Sequence, residues 1–235
     1  MTTTHDLETS LQNYPRRLYV DSADIDAVTP MLDGALVHGV TTNPTILDRA
    51  GRSVRDIPEL YGRWVDEGAN EVFFQAWGAD EVELRKRAIA ILELGDRAVV
   101  KLPASQKGFA VASNLAKDGA PVLLTAVHTP AQALAAASCG IRYIASYMGR
   151  TRDAGYDLRG GLLRMHALCE GSKTSVMAAS LRSADELVGL AEAGIPCFTA
   201  SPAVLWELLE SAATTRAVAD FDDADSVQTE DGFGY

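Results

Sequence analysis

With 235 residues, 47% of them hydrophobic, the chain is long enough for one sizeable core, and α/β barrels use such a length as a single domain. A net charge of −11 argues against nucleic acid or an anionic membrane as a main partner, so any anionic substrate needs a local basic site. No apolar run reaches the ~18 residues of a membrane span, and residues 1–11 are polar and acid-bearing rather than a secretory signal, which predicts a soluble, cytoplasmic protein.

Eight short apolar segments rich in β-branched residues recur along the chain. They are Arg17–Asp21, Val37–Thr42, Glu71–Ala76, Ala98–Leu102, Pro121–Val127, Ile141–Tyr147, Lys173–Ala179 and Ile195–Ala200. Each is followed by a stretch compatible with a helix. The periodicity is clearest over Glu81–Leu94, with Val82, Leu84, Ala88, Ile89 and Leu92 on one face, and over Ala203–Ala213. Strands alternating with helices imply a parallel sheet, and eight such units in one modest chain predict a closed (β/α)8 TIM barrel, class α/β. No GxGxxG or GxxxxGK[ST] follows any of the strands, which removes the best support for a nucleotide-binding reading. The expected organisation is an N-terminal extension over 1–16, the barrel over 17–221, and an acidic, mobile tail over 222–235. Cys139, Cys169 and Cys197 lie far apart in apolar surroundings without CxxC spacing, which suggests reduced structural thiols.

The fourth segment, Ala98-Val99-Val100-Lys101-Leu102-Pro103, places one lysine in a buried strand. Burial lowers an amine's pKa because desolvation penalises the charged form, and a neutral amine attacks carbonyls to form a Schiff base. The same segment also admits a lysine that snorkels from the strand end or pairs with a carboxylate. In a barrel the chemistry gathers at the C-terminal strand ends. Those ends read Asp21, Thr42-Asn43, Gln75, Lys101, Thr125, Tyr147, Ser180 and Ser201. Turn formation accounts well for Ser201 but poorly for Gln75, Lys101, Thr125 and Tyr147, which are long or strand-favouring residues among apolar neighbours.

Roles follow from the chemistry. Lys101 is the candidate nucleophile, and Schiff-base formation, carbon–carbon cleavage and hydrolysis each need a proton carrier. Tyr147 supplies a phenolic proton, Gln75 and Thr125 hold a water, and Asp21 carries a proton or binds a hydroxyl. The Asn43 amide suits substrate hydroxyls, although Asn43-Pro44 is equally a turn signal. Arg150 and Arg182 follow late strands, where barrels bind phosphate. Singly each reads as a surface charge; together, beside Ser180, they read as a phosphate clamp.

Leu18–Asp24, Gly39-Val40-Thr41-Thr42-Asn43-Pro44-Thr45, Val99–Pro103, Thr125–Val127, Ala145–Arg150 and Ala178–Arg182 occur in the order of the transaldolase family. The chain resembles this family of class I Schiff-base barrels, and most of all its short branch that includes fructose-6-phosphate aldolase, from about Leu18 to Phe221. The resemblance implies that Lys101 forms the Schiff base, and the expected substrate-binding residues are Thr42, Asn43, Ser180, Arg150 and Arg182. Gln75, Thr125 and Tyr147 resemble the aldolase-type set, whereas Arg182 resembles the transaldolase phosphate site. His128 stands where the aldolase type often has an aromatic. The expectation is transfer of a dihydroxyacetone unit between sugar phosphates. The alternatives are release of free dihydroxyacetone and a non-catalytic sugar-phosphate-binding barrel. No cofactor or metal is expected, and the expected partners are phosphorylated sugars and further copies of this chain.

Overall fold

The computed structural model describes residues 16–147 and 158–228. Its eight strands, β1 (Arg17–Asp21), β2 (Gly39–Thr41), β3 (Glu71–Gln75), β4 (Ala98–Pro103), β5 (Val122–Thr125), β6 (Tyr143–Tyr147), β7 (Ser175–Ala179) and β8 (Cys197–Ala200), close in chain order into a barrel. Every neighbouring pair is parallel, including β8 on β1. The (β/α)8 TIM barrel expected from the alternating segments is therefore the observed architecture. The surrounding helices are α1 (Ile25–Asp33), α2 (Pro44–Arg49), α3 (Ile57–Asp66), α4 (Glu81–Leu92), α5 (Gln106–Lys117), α6 (Pro130–Ser138), α7 (Leu158–Cys169), α8 (Ala184–Glu192), α9 (Pro202–Glu207) and α10 (Ala212–Gln228).

Local chemistry starts these helices promptly after the strands. Asp24, Asn43, Asp80, Ser105, Thr129 and Ser183 each accept a hydrogen bond from a backbone N–H in the first turn of the helix that follows. The capping residues shorten the loops and collect helix N-termini on the face where the strands end.

Two helical expectations need correction. The buried stripe of α4 is Leu84, Ala88 and Ile91, a strict i, i+4, i+7 row, while Val82 lies in the first turn at 79% exposure. The helix expected over Ala203–Ala213 is two helices, because α9 ends at Glu207 and Ser211 starts α10 by accepting from Thr214 N–H. The boundary expected at 221–222 falls inside α10. Among the described residues no helix is long and apolar enough to cross a membrane.

The pleat divides the core. Val20, Val40, Val72, Val100, Leu124 and Ile144 face the helices and join the large outer core. Their neighbours Tyr19, Phe73, Val99, Leu123, Tyr143, Ala145, Met177 and Cys197 fill the barrel interior as a separate apolar cluster. Below it, at the N-terminal end, lies a polar knot around buried Glu71. Tyr19 donates to this carboxylate at 2.5 Å, Tyr143 at 3.0 Å and Arg142 pairs with it at 2.7 Å. Arg17 donates to the Tyr143 hydroxyl at 2.7 Å. Burial, and then the Glu71 charge beside it, push the Tyr19 phenol pKa up, so it remains a donor. Gly39 of β2 passes so close that a Cβ there would stand 1.9 Å from the Glu71 carbonyl oxygen. Only glycine permits that approach.

A barrel gathers its chemistry at the C-terminal end of its strands, so a polar knot at the N-terminal end should serve stability. Glu71→Gln keeps the shape but leaves charged donors facing a neutral amide, so urea unfolding should show a loss of about 1–3 kcal/mol, with the active-site chemistry intact. An unchanged midpoint would show that the knot does not support the barrel.

Candidate active site

One step of two residues beyond the apolar interior layer, seven of the eight strands present a polar group on the same inward face, the exception being β7, where Met177 is followed by Ala179. Tyr19 is followed by Asp21, Phe73 by Gln75, Val99 by Lys101, Leu123 by Thr125, Ala145 by Tyr147 and Cys197 by Thr199, with Thr41 contributed by β2. Alternation along the strands thus builds a polar ring on an apolar floor. Gln75 and Lys101 are directly paired across the β3–β4 ladder, and Asp21 and Thr41 across β1–β2.

Lys101 is 6% exposed, and its Nζ donates to the Thr42 carbonyl oxygen at 2.6 Å. Desolvation lowers its pKa below the ordinary lysine value, and the Asp21 charge opposes that shift. Asp21 is pushed the other way: desolvation raises its pKa, while Lys101 and the hydrogen bond from Thr41 restrain the rise. Each member of the pair therefore holds the other nearer its charged form than burial alone would allow. A neutral amine with one N–H fixed on a carbonyl keeps its lone pair for an electrophile. The amine lies inside the barrel, so Lys101 does not snorkel to solvent from the strand end.

Across the ring, the hydroxyls of Thr125 and Tyr147 are hydrogen-bonded at 2.5 Å. The exposed His128 ring stands 6.2 Å from the Tyr147 ring, tilted by 51°. The loop carrying it is pinned by Gln132, whose side-chain oxygen accepts from the backbone N–H groups of His128 and Thr129. The chain leaves β5 through Ala126 at φ +59° and β7 through Ser180 at φ +60°. Both are non-glycine residues in the left-handed region, a sparsely populated conformation that clusters at functional sites.

The other expected site residues divide by environment. The Thr42 hydroxyl is turned to the Phe73 carbonyl at 2.9 Å and the residue is fully buried, so its contribution to the ring is its carbonyl rather than a hydroxyl for substrate. Asn43 caps α2, its side-chain oxygen accepting from Ile46 N–H at 3.0 Å, so the turn role is filled. Arg182 lies exposed after β7, two residues beyond Ser180, with its backbone N–H donated to Glu186. Arg150 lies outside the described residues. Ser201 is an exposed residue at the start of α9. Sequence reading missed Thr41 and Thr199, both buried and inward-facing. Their signal was available in the two-residue step along each strand, but Thr199 sits one residue before the strand's last position and was passed over. Among the described residues no three His, Cys, Asp or Glu side chains gather as a metal site.

Comparison with known proteins adds the family. Residues 18–233 match the family described as Transaldolase/Fructose-6-phosphate aldolase. A "Probable transaldolase" from Ruegeria sp. is 28% identical over 87% of this chain and 94% of its own length. Another from Dehalococcoides mccartyi is 30% identical over 87% and 95%. A thiamine phosphate pyrophosphorylase from Pyrococcus furiosus matches in structure with a TM-score of 0.58 at 19% identity, covering 80% of this chain and 87% of that one, a likeness of fold alone. With the match running across nearly the whole barrel, the chain belongs to the transaldolase/fructose-6-phosphate aldolase family.

Proposed function

We propose that this protein transfers a dihydroxyacetone unit from a ketose phosphate to an aldose phosphate through a Schiff base on Lys101. The observation that carries the reading is the buried Lys101 amine, fixed on the Thr42 carbonyl beside Asp21 inside a closed barrel. Its neutral form adds to the ketose carbonyl at C2, and loss of water from the carbinolamine leaves an iminium. Asp21 removes the C4 hydroxyl proton, the C3–C4 bond breaks, and its electron pair flows into the iminium to leave an enamine. The aldose departs. The enamine carbon then attacks the acceptor aldehyde, whose oxygen takes up a proton, and water hydrolyses the new iminium to free the ketose and Lys101. Tyr147, hydrogen-bonded to Thr125, moves the protons of the carbinolamine steps, and Gln75 orients the water. Ser180, Asn43, Arg150 and Arg182 hold the substrate, the two arginines taking the phosphate.

The Thr125–Tyr147 pair also supports a second reading, aldolase-type release of free dihydroxyacetone, because the same proton carrier can protonate the enamine carbon before an acceptor arrives. Transfer is favoured because a phosphate site raises acceptor occupancy at the enamine. Exposed Leu209, Val218 and Phe221, the last two on a helix α10 with no buried residue among those described, support assembly with further copies of this chain. Burial pushes the thiols of Cys169 and Cys197 up to about 11 and about 12, which keeps them protonated at neutral pH and suits a cytoplasmic protein.

Incubation with fructose 6-phosphate and borohydride should place a reduced adduct on Lys101 by mass spectrometry, and Lys101→Met should lose activity by several orders of magnitude. Because its pKa is lowered, the amine is already neutral well below the ordinary lysine value. The trapping rate should therefore level off well short of pH ~10. A rate that climbs through that value, or an adduct elsewhere, would remove Lys101 from its role.

Tyr147→Phe removes only the phenolic oxygen and should lower the rate roughly 10²–10⁴-fold. Wild-type turnover in that variant would give the proton to another group.

Transfer and release separate by product analysis. With fructose 6-phosphate alone, free dihydroxyacetone should form slowly. With erythrose 4-phosphate or ribose 5-phosphate added, new ketose should form faster and dihydroxyacetone should fall. Fast release that an acceptor does not divert would establish the aldolase instead.

A further inference from the structure

Three strands, β8, β1 and β2, place a short chain of hydroxyls within the ring. Thr41 Oγ1 lies 2.6 Å from Asp21 Oδ1 and 2.5 Å from Thr199 Oγ1. Both threonines are buried, at 1% and 4% exposure, so bulk water does not compete for these bonds. The registers explain how they meet: Thr41 pairs with Asp21 across β1–β2, while Thr199 pairs with Tyr19 across β1–β8. The Thr199–Thr41 bond therefore bridges β1 from one neighbouring strand to the other, just below Asp21.

Proton counting fixes the direction. An ionised carboxylate only accepts, and Thr41 has one hydroxyl proton, which lies on its bond to Asp21. Thr41 Oγ1 is then an acceptor towards Thr199, whose own proton must point at Thr41. We propose that Thr41 and Thr199 are positioning residues for the reaction: the directed chain Thr199 to Thr41 to Asp21 locks one carboxylate oxygen as an acceptor, so that the proton taken from substrate goes to the other oxygen, Oδ2. Without the Thr199 donor, the Thr41 hydroxyl is free to rotate and accept from a protonated Oδ1, which would stabilise the acid form on the wrong oxygen. Lys101, from β4, is the ionisable group whose charge acts on Asp21, and it opposes protonation. The Thr-Thr pair of β2 and its exit thus serves both reacting groups, the first through its hydroxyl to Asp21 and the second through its carbonyl to Lys101.

This inference rests on the proposed role of Asp21 as the base in carbon–carbon cleavage. The test is the pH profile of kcat and KM for fructose 6-phosphate with a saturating acceptor, in wild type, Thr199→Val, Thr199→Ser and Thr41→Val. Thr199→Val keeps the branched shape and removes the donor. Its acid limb should move to higher pH, giving about a three- to tenfold lower kcat on the acid side, a limb shift of one unit being tenfold. The deficit should shrink as pH rises, with little change in KM. Thr41→Val should show at least as large a shift, and Thr199→Ser, which restores the hydroxyl, should return the limb to its wild-type position. Circular dichroism checks folding; if Thr199→Val does not fold, Thr41→Val against Thr199→Ser makes the same comparison. Profiles of a folded valine variant that superimpose on wild type would overturn the inference, as would a uniform loss at all pH values that serine does not rescue. Borohydride trapping on wild-type Lys101 is the control: its failure sinks the proposed function, whereas normal trapping with unshifted limbs sinks only the hydroxyl chain.

Discussion

A lysine amine withdrawn from water is expensive to maintain, and the arrangement around Lys101 follows from meeting that cost. The Thr42 carbonyl takes one of its protons, and Asp21 offers a compensating charge. Neither partner fully neutralises the amine. A carbonyl holds an N–H without changing its charge, and a carboxylate that is itself desolvated has its own pKa raised. Burial draws each group towards its neutral form, and the charge of the other draws it back.

The barrel separates this reactive balance from what holds the fold together. At the N-terminal end, Glu71 gathers Tyr19, Tyr143, Arg142 and Arg17 into a knot whose donors are matched to the carboxylate. At the C-terminal end the ring includes Gln75, which is only partly buried at the end of β3. Between the two lies the apolar layer of Phe73, Val99, Leu123 and Met177. That layer acts as a floor: it keeps water from reaching the lysine from below and supplies the low-dielectric surroundings that lower its pKa.

The glycine, two threonines and asparagine of Gly39–Asn43 show how one short segment serves several levels of structure. Gly39 permits the close approach of β2 to β3, Thr41 bonds Asp21, Thr42 holds Lys101 through its backbone, and Asn43 starts α2. A substitution at any of these positions acts through a different physical route, namely sterics, carboxylate ionisation, amine placement or helix capping.

Much of this was legible in the chain. Short apolar, β-rich segments alternating with helix-compatible stretches located all eight strands to within about two residues, because strand identity depends on local pattern. Lys101, Thr125 and Tyr147 stood out because polar residues ending apolar runs have few structural explanations. What the sequence could not determine was direction and partnership. That Thr42 contributes a carbonyl and not its hydroxyl depends on which face of β2 it occupies after the strand pairs, and that Asn43 is occupied as a cap depends on where α2 begins. Val82 pointing to solvent depends on how α4 rotates against the barrel. Thr199 and Thr41 are far apart in the chain, and nothing local says that they touch; only closure of β8 onto β1 brings their hydroxyls together. Local periodicity determined which residues face inward, and barrel closure alone decided which of those inward groups touch.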